Sequence, residues 1–403
     1  MYDHLIHPSP LLSLLLDIGN YSVFLIIFLI AKQKKIISNN LFILSGIMML
    51  TPFFINGVII NWTQFPDQSK YLLYAKEIRS NLFLGKSVFQ SNFGFNHNYT
   101  DLDFQVDLQF LNSKVKVATT FFAFAPLISI ETFKSIGFFN RAIFIVTLFF
   151  FINKTDLPFY VKLFFILSPS LIVYSSVSLR DNLVLITLIW SLYFFLKKYY
   201  FRLIISCVIL FFIKLQSLVI LIFIFYIICL FTDSKIKKFK FVHIIILLTV
   251  ISIGYLYAEQ LLEFGDSARE GLYIENNGFY KSITANTMYQ KLSFDGNFFT
   301  TWFKQTVLYI ISPLSNMTTG YHFVVFFEIT ILYFYLYINF YKDFKIKKIK
   351  NLTIIWVLVF FITTILYSMF MFNDGMIARS RFVWVFFILI GYEMHKNIYL
   401  KKS

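Results

Sequence analysis

The stretch FRLIISCVILFFIKLQSLVILIFIFYIICLFT, residues 201–232, decides the fold. Read as one helix it would run about 48 Å, well beyond the ~30 Å of a bilayer's hydrocarbon core. Lys197 and Lys198 precede it, and Lys235 and Lys237 follow it. Short basic clusters mark the cytoplasmic face, and a single crossing would put these two clusters on opposite faces. Two short helices meeting near Lys214-Leu215-Gln216-Ser217 satisfy both constraints. Each would be only ~22 Å long, so their junction is expected to dip into a polar recess on the outer side.

The same logic extends along the chain. Of its 403 residues, 58% are hydrophobic and 14% charged, and the mean hydropathy is +0.71. This composition belongs to polytopic membrane proteins. The net charge of +15 would suit nucleic acid, but its distribution argues otherwise: 18 of the 36 basic residues fall in five short clusters between or after apolar segments. The positive-inside rule accounts for them, and no nucleic-acid partner is expected. Cys207 and Cys229 lie inside apolar runs and cannot form a disulfide framework.

Apolar segments at 11–31, 41–61, 116–133, 181–197, 241–258, 321–341, 352–372 and 381–398 read as crossings. Two more runs within 137–177 are separated by Asn153-Lys154-Thr155-Asp156-Leu157-Pro158, and only one net crossing fits there, so one is short or re-entrant. Residues 303–313 are too short to span. The expectation is an all-α, polytopic integral membrane protein. It has about 11 transmembrane helices with short or re-entrant segments, in one membrane domain over 1–403. The N-terminus is outside and the C-terminus inside. The long loops at 62–115 and 259–302 then lie outside. In the first, residues 67–79 read as a short amphipathic helix on the membrane surface.

Two arginine motifs end apolar segments on this outer side. One is Ser178-Leu179-Arg180-Asp181-Asn182-Leu183, and the other runs from Asn373-Asp374-Gly375 to Arg379-Ser380-Arg381. An arginine near hydrocarbon is costly unless it lines a polar cavity or meets an anion, and the positive-inside rule disfavours it outside. The structural alternative is a snorkelling arginine with Asp181 as a helix cap. The functional reading is phosphate binding, because the guanidinium fork and a helix N-terminus both favour phosphate oxygens. Arg379 and Arg381 are two apart and cannot share a helical face. They converge only if the chain there is extended or just entering the helix. Lys214, Gln216, Arg269 and His322 are weaker candidates, for which local salt bridges or interhelical polar contacts are sufficient. His97 with Asp101, Asp103 and Asp107 fits no metal-ligand spacing. No P-loop, dinucleotide-binding glycine motif, HExxH or GxSxG occurs, so no metal and no cofactor are expected.

Asp67 to Tyr71, Pro169 to Asp181, and Asn373 to Arg381 occur in an order and on a face that resemble the bacterial O-antigen and capsule repeat-unit polymerases, the Wzy/EpsG-like group. The resemblance is architectural over most of the chain, and some members have His where Lys214 or Gln216 stands. The first-loop Asp and the Pro…Ser…Asp pattern also resemble GT-C membrane glycosyltransferases that use lipid-phosphate sugar donors. The resemblance implies a GT-C-like polymerase in the bacterial inner membrane with a periplasmic active side. It would join undecaprenyl-diphosphate-linked donor and acceptor glycans, with the bilayer and a chain-length regulator as partners. It implies catalytic roles for Arg180, Asp181, Arg379, Arg381, Asp67 and Asp374, with a carboxylate as general base. It implies substrate binding by Lys214, Gln216, Arg269, Tyr71 and His322. A single-sugar GT-C transferase and a lipid-linked oligosaccharide flippase are the alternatives. A flippase should show evenly sized helices, short loops and two related halves, whereas this chain has two long loops and no repeat.

Overall fold

The computed structural model describes residues 10–56, 59, 67–85, 118–155, 157–232, 298–312, 320–370 and 374–402. Among these, helix is the only regular structure of any length. The helices are α1 (Pro10–Gln33), α2 (Asn39–Met48), α3 (Thr51–Ile55), α4 (Asp67–Phe83), α5 (Ser135–Lys154), α6 (Phe159–Leu167) and α7 (Pro169–Ser176). They continue with α8 (Asp181–Leu196), α9 (Tyr200–Thr232), α10 (Phe298–Ile311), α11 (Gly320–Phe344), α12 (Lys350–Phe370) and α13 (Asp374–Lys402). Residues 118–123 are also helical.

Local chemistry explains where helices stop. Ser38 caps α2 by accepting from the Leu41 amide. Ser168 does the same for α7 through Leu171, and Pro169 occupies the first helical position. That Ser-Pro pair bends α6 against α7 by 51°, because proline disfavours helical geometry in the residue before it. α1 and α8 end on Lys35 and Lys198 in the left-handed region, at φ 57° and 61°. Each is followed by an amide reaching back five residues, Ile36 to Ala31 and Tyr199 to Phe194. Glycine is the usual residue there. Lysine puts positive charge beside the helix C-terminus and in the basic cluster at once. In α9 the helix breaks at Lys214, where φ −158° and ψ 89° are extended. It falls at the first residue of the stretch Lys214–Ser217 near which the two-helix expectation placed the junction.

Among the described residues, four helices can cross a membrane by length and composition: α1, α9, and the parts Phe323–Phe344 of α11 and Lys350–Ser368 of α12. The bent pair α6–α7 makes a fifth if counted as one span. Large apolar side chains are exposed along α1 (Leu11, Leu15, Ile26, Ile30) and along α11 (Phe323, Phe327, Ile331, Phe334, Tyr337, Tyr341). In α11 these recur every three or four residues and form one stripe. An apolar outside around buried polar groups is what a bilayer demands; the chain is a membrane protein.

Several expected crossings differ. The segment 41–61 is interrupted at Met49–Leu50 between α2 and α3. α8 has 16 residues and is shorter than a full span. Residues 241–258 lie outside the described residues, as does nearly all of the loop 259–302. The expected crossing at 116–133 is replaced by helix over 118–123 and then irregular chain to 134. The reason is Arg79 of α4, whose guanidinium donates to the carbonyls of Ala123, Ala125 and Leu127. One planar fork thereby donates to carbonyls that a continued helix would have bonded internally. α4 itself is docked on protein: Tyr71, Leu72, Tyr74, Ala75 and Ile78 are buried, and Lys76 pairs with Glu131. Arg79→Ala removes hydrogen bonds of about 1.5–3 kcal/mol each from a charged donor. Limited proteolysis in detergent should then show new cleavage between 118 and 134, and an unchanged pattern would show that other groups hold this segment.

The chain divides into two compact units, one of residues 1–187 with 208–215, the other of 188–207 with 216–403. In the first, α5 is the central helix, in contact with α1, α2, α3, α6 and α7. In the second, α12 is central, packed by α10, α11 and α13, and α13 also packs on α11. Every non-glycine residue of α13 from Arg381 to Met394 is buried. The crossing expected at 381–398 is therefore enclosed by protein over this stretch, which is how it carries Arg381 and Glu393. Gly391 admits the Trp356 ring, since a β-carbon there would stand 2.3 Å from its Cη2.

Candidate functional site

Arg180 is the last residue before α8, and its carbonyl accepts the first helical bond, from Val184. Asp181 follows in the first turn, 4% exposed. The turn that presents them is held on every side by buried polar groups. The Asn140 amide donates to the Val177 and Leu179 carbonyls, both at 2.8 Å. Asn182 donates back to the Asn140 carbonyl at 2.9 Å. Gln68 of α4 accepts from the Ser178 amide and from Asn56, both at 2.9 Å. The Ser178 hydroxyl and Asn56 both donate to the Phe133 carbonyl. Arg141 donates to the Ser175 hydroxyl at 2.6 Å and to the Met48 carbonyl at 3.0 Å. Thr51 and Ser176 share a bond of 2.8 Å.

The Arg180 side chain is half-buried. Its Nη1 donates to the Ile213 carbonyl at 3.1 Å, the last carbonyl before the break at Lys214. Arg180 thus caps the opened end of the first half of α9. A guanidinium has five N–H donors, so among the described residues this bond leaves most of the fork uncommitted. Lys214 is half-buried at the break, and Gln216 is exposed.

In the second unit, Arg379 and Arg381 both lie within α13, which is helical from Asp374. The extended geometry that would let them converge is not adopted, and they lie on opposite faces. Arg379 is half-buried. Arg381 is 1% exposed and donates through Nη1 to the Tyr309 and Ile310 carbonyls, both at 2.9 Å. These are end carbonyls of α10. Its Nε and Nη2 have no partner among the described residues. Two unmatched donors on a buried cation make Arg381 an anion-seeking group among the described residues.

Of the other expected residues, Tyr71 is buried with its ring edge on Phe122. Asp67 opens α4, Asp374 opens α13, and His322 lies in the first turn of α11; their side chains are outside the description. Arg269 lies outside the described residues. Among the described residues no group of three or more potential metal ligands occurs.

Sequence reading missed Asn140 and Arg141. Their signal was present, because an arginine inside the apolar run of α5 is as unexpected as one at its edge. Comparison with family models, with curated proteins and with solved structures finds no match to this chain.

Proposed function

We propose that this membrane protein is a polymerase that joins undecaprenyl-diphosphate-linked oligosaccharide repeat units into O-antigen or capsular polysaccharide on the outer face of the bacterial inner membrane. The observation that supports the reading is Arg180: an arginine with most of its donors uncommitted among the described residues, at a helix N-terminus, on a turn fixed by buried hydrogen bonds. In the proposed reaction, the acceptor's sugar hydroxyl attacks the anomeric carbon of the donor chain. The bond from that carbon to the diphosphate oxygen breaks, and its electron pair goes to the diphosphate. The hydroxyl proton goes to a carboxylate among Asp67, Asp181 and Asp374. Arg180 would stabilise charge developing on the leaving diphosphate, the term expected to dominate in a site shielded from water. The reading includes about 11 crossings in a GT-C-like core.

The experiment is topological. Gln90→Cys, Glu275→Cys and Gly375→Cys should react with an impermeant thiol reagent in intact cells with a permeabilised outer membrane. Ile236→Cys and Ile346→Cys should not, with the native Cys207 and Cys229 setting the background. Labelling at 346 but not at 375 would invert the protein and remove the arginines from the outer face.

A further inference from the structure

We propose that Gly137, Asn140 and Arg141 of α5 are the positioning residues of Arg180, a polar seat that fixes the turn presenting its guanidinium; this rests on the reading of Arg180 as a diphosphate-binding residue. The three sit at i, i+3 and i+4, which places them on one helical face. Each meets a different part of the same turn. Gly137 meets the Ser176 carbonyl, and a β-carbon there would stand 2.2 Å from its oxygen and 3.0 Å from its carbon. Backbone cannot yield as a side chain can, so any larger residue displaces the turn. Asn140 takes the next two outward carbonyls, Val177 and Leu179, with one amide nitrogen. Those carbonyls face the same way because the Leu179 amide folds back to Val177 at 2.9 Å, a three-residue turn. Arg141 holds Ser175 before the turn and ties it to the end of α2 at Met48.

Packing alone does not require this arrangement. The surroundings are Phe138, Phe144, Ile145 and Leu148, all buried, and an apolar face would fill the same space. Arg141 has no carboxylate partner among the described residues, being matched by a carbonyl, a hydroxyl and the Phe144 ring. A buried cation without a counter-charge is expensive. What it secures is Ser175, just before the turn that leads to Arg180, against the end of α2. Catalysis by fixed charge is sensitive to such placement, and a displacement of about 1 Å can cost on the order of a hundredfold.

The test is a double-mutant cycle on turnover. Lipid-linked repeat unit extracted from the deletion strain is supplied to purified protein, and the rate is divided by the folded, monodisperse fraction, so that loss of stability does not register. Asn140→Ala and, separately, Arg141→Lys should each lower turnover about 10- to 100-fold when Arg180 is present. In an Arg180→Lys background they should lower it little further, because there is no longer a guanidinium to place. An equal fold loss in both backgrounds, or no loss in either, would overturn the positioning role. If Asn140→Ala and Arg141→Lys are neutral while Arg180→Lys is impaired, the seat is wrong and the reading of Arg180 stands. If Arg180→Lys is itself neutral, both fail.

Discussion

Arg180→Lys is expected to cut long-chain polymer about 10- to 100-fold with protein abundance unchanged. Lysine keeps the charge and can still donate to the Ile213 carbonyl, so the end of the first half of α9 remains capped. It lacks the planar fork that matches two phosphate oxygens together. Arg180→Ala removes the cap as well and should be at least as severe. A snorkelling arginine predicts the opposite, because lysine snorkels equally well. The readout is the polysaccharide ladder of a deletion strain complemented with each variant at matched expression. A normal ladder from both variants would reduce Arg180 to a helix cap. Loss of the ladder with a complete single unit retained supports polymerisation. A flippase defect would stop even one unit from reaching the surface, and a defect in a single-sugar transferase would change the unit's composition.

Arg381 should give the second large effect, separable from stability by choice of substitution. Arg381→Met leaves the Tyr309 and Ile310 carbonyls without their donor inside the second unit. At about 1–3 kcal/mol for each unsatisfied buried group, it should lower both abundance and polymer. Arg381→Lys can still satisfy those carbonyls with its ammonium donors and should be produced normally. It loses the two donors that Arg381 leaves open, and polymer should again fall about 10- to 100-fold if an anion uses them. Normal polymer from Arg381→Lys would make Arg381 a cap for α10 and nothing more.

The two buried arginines, Arg141 and Arg381, share a setting. Each is enclosed within its own unit and donates to carbonyls at the end of a neighbouring helix. Lipid is as apolar as leucine, so burial alone drives helices together weakly in a membrane. Polar contacts and close approaches, such as Gly137 on Ser176 and Gly391 on Trp356, then define which surfaces meet.

The sequence by itself determined the class of protein, the helices α1, α11 and α12, and the break at Lys214. These follow from transfer between water and hydrocarbon, from helix length, and from side-chain chemistry at helix ends, all local quantities. It also singled out Arg180, whose cost at an apolar edge is local too. Only the tertiary structure decided the rest. Residues 116–133 read as a crossing until Arg79, some forty positions away, takes their carbonyls. The segment 381–398 reads as one crossing among several, and only the fold shows that protein encloses it, because hydropathy cannot distinguish a lipid neighbour from a leucine one. Arg379 and Arg381 part because the helix begins at Asp374, and the seat of Arg180 joins α2, α4, α5 and α7. Hydrogen-bond partners far apart in the chain leave no periodic trace, so the pairing that orients these arginines is visible only once the chain has folded.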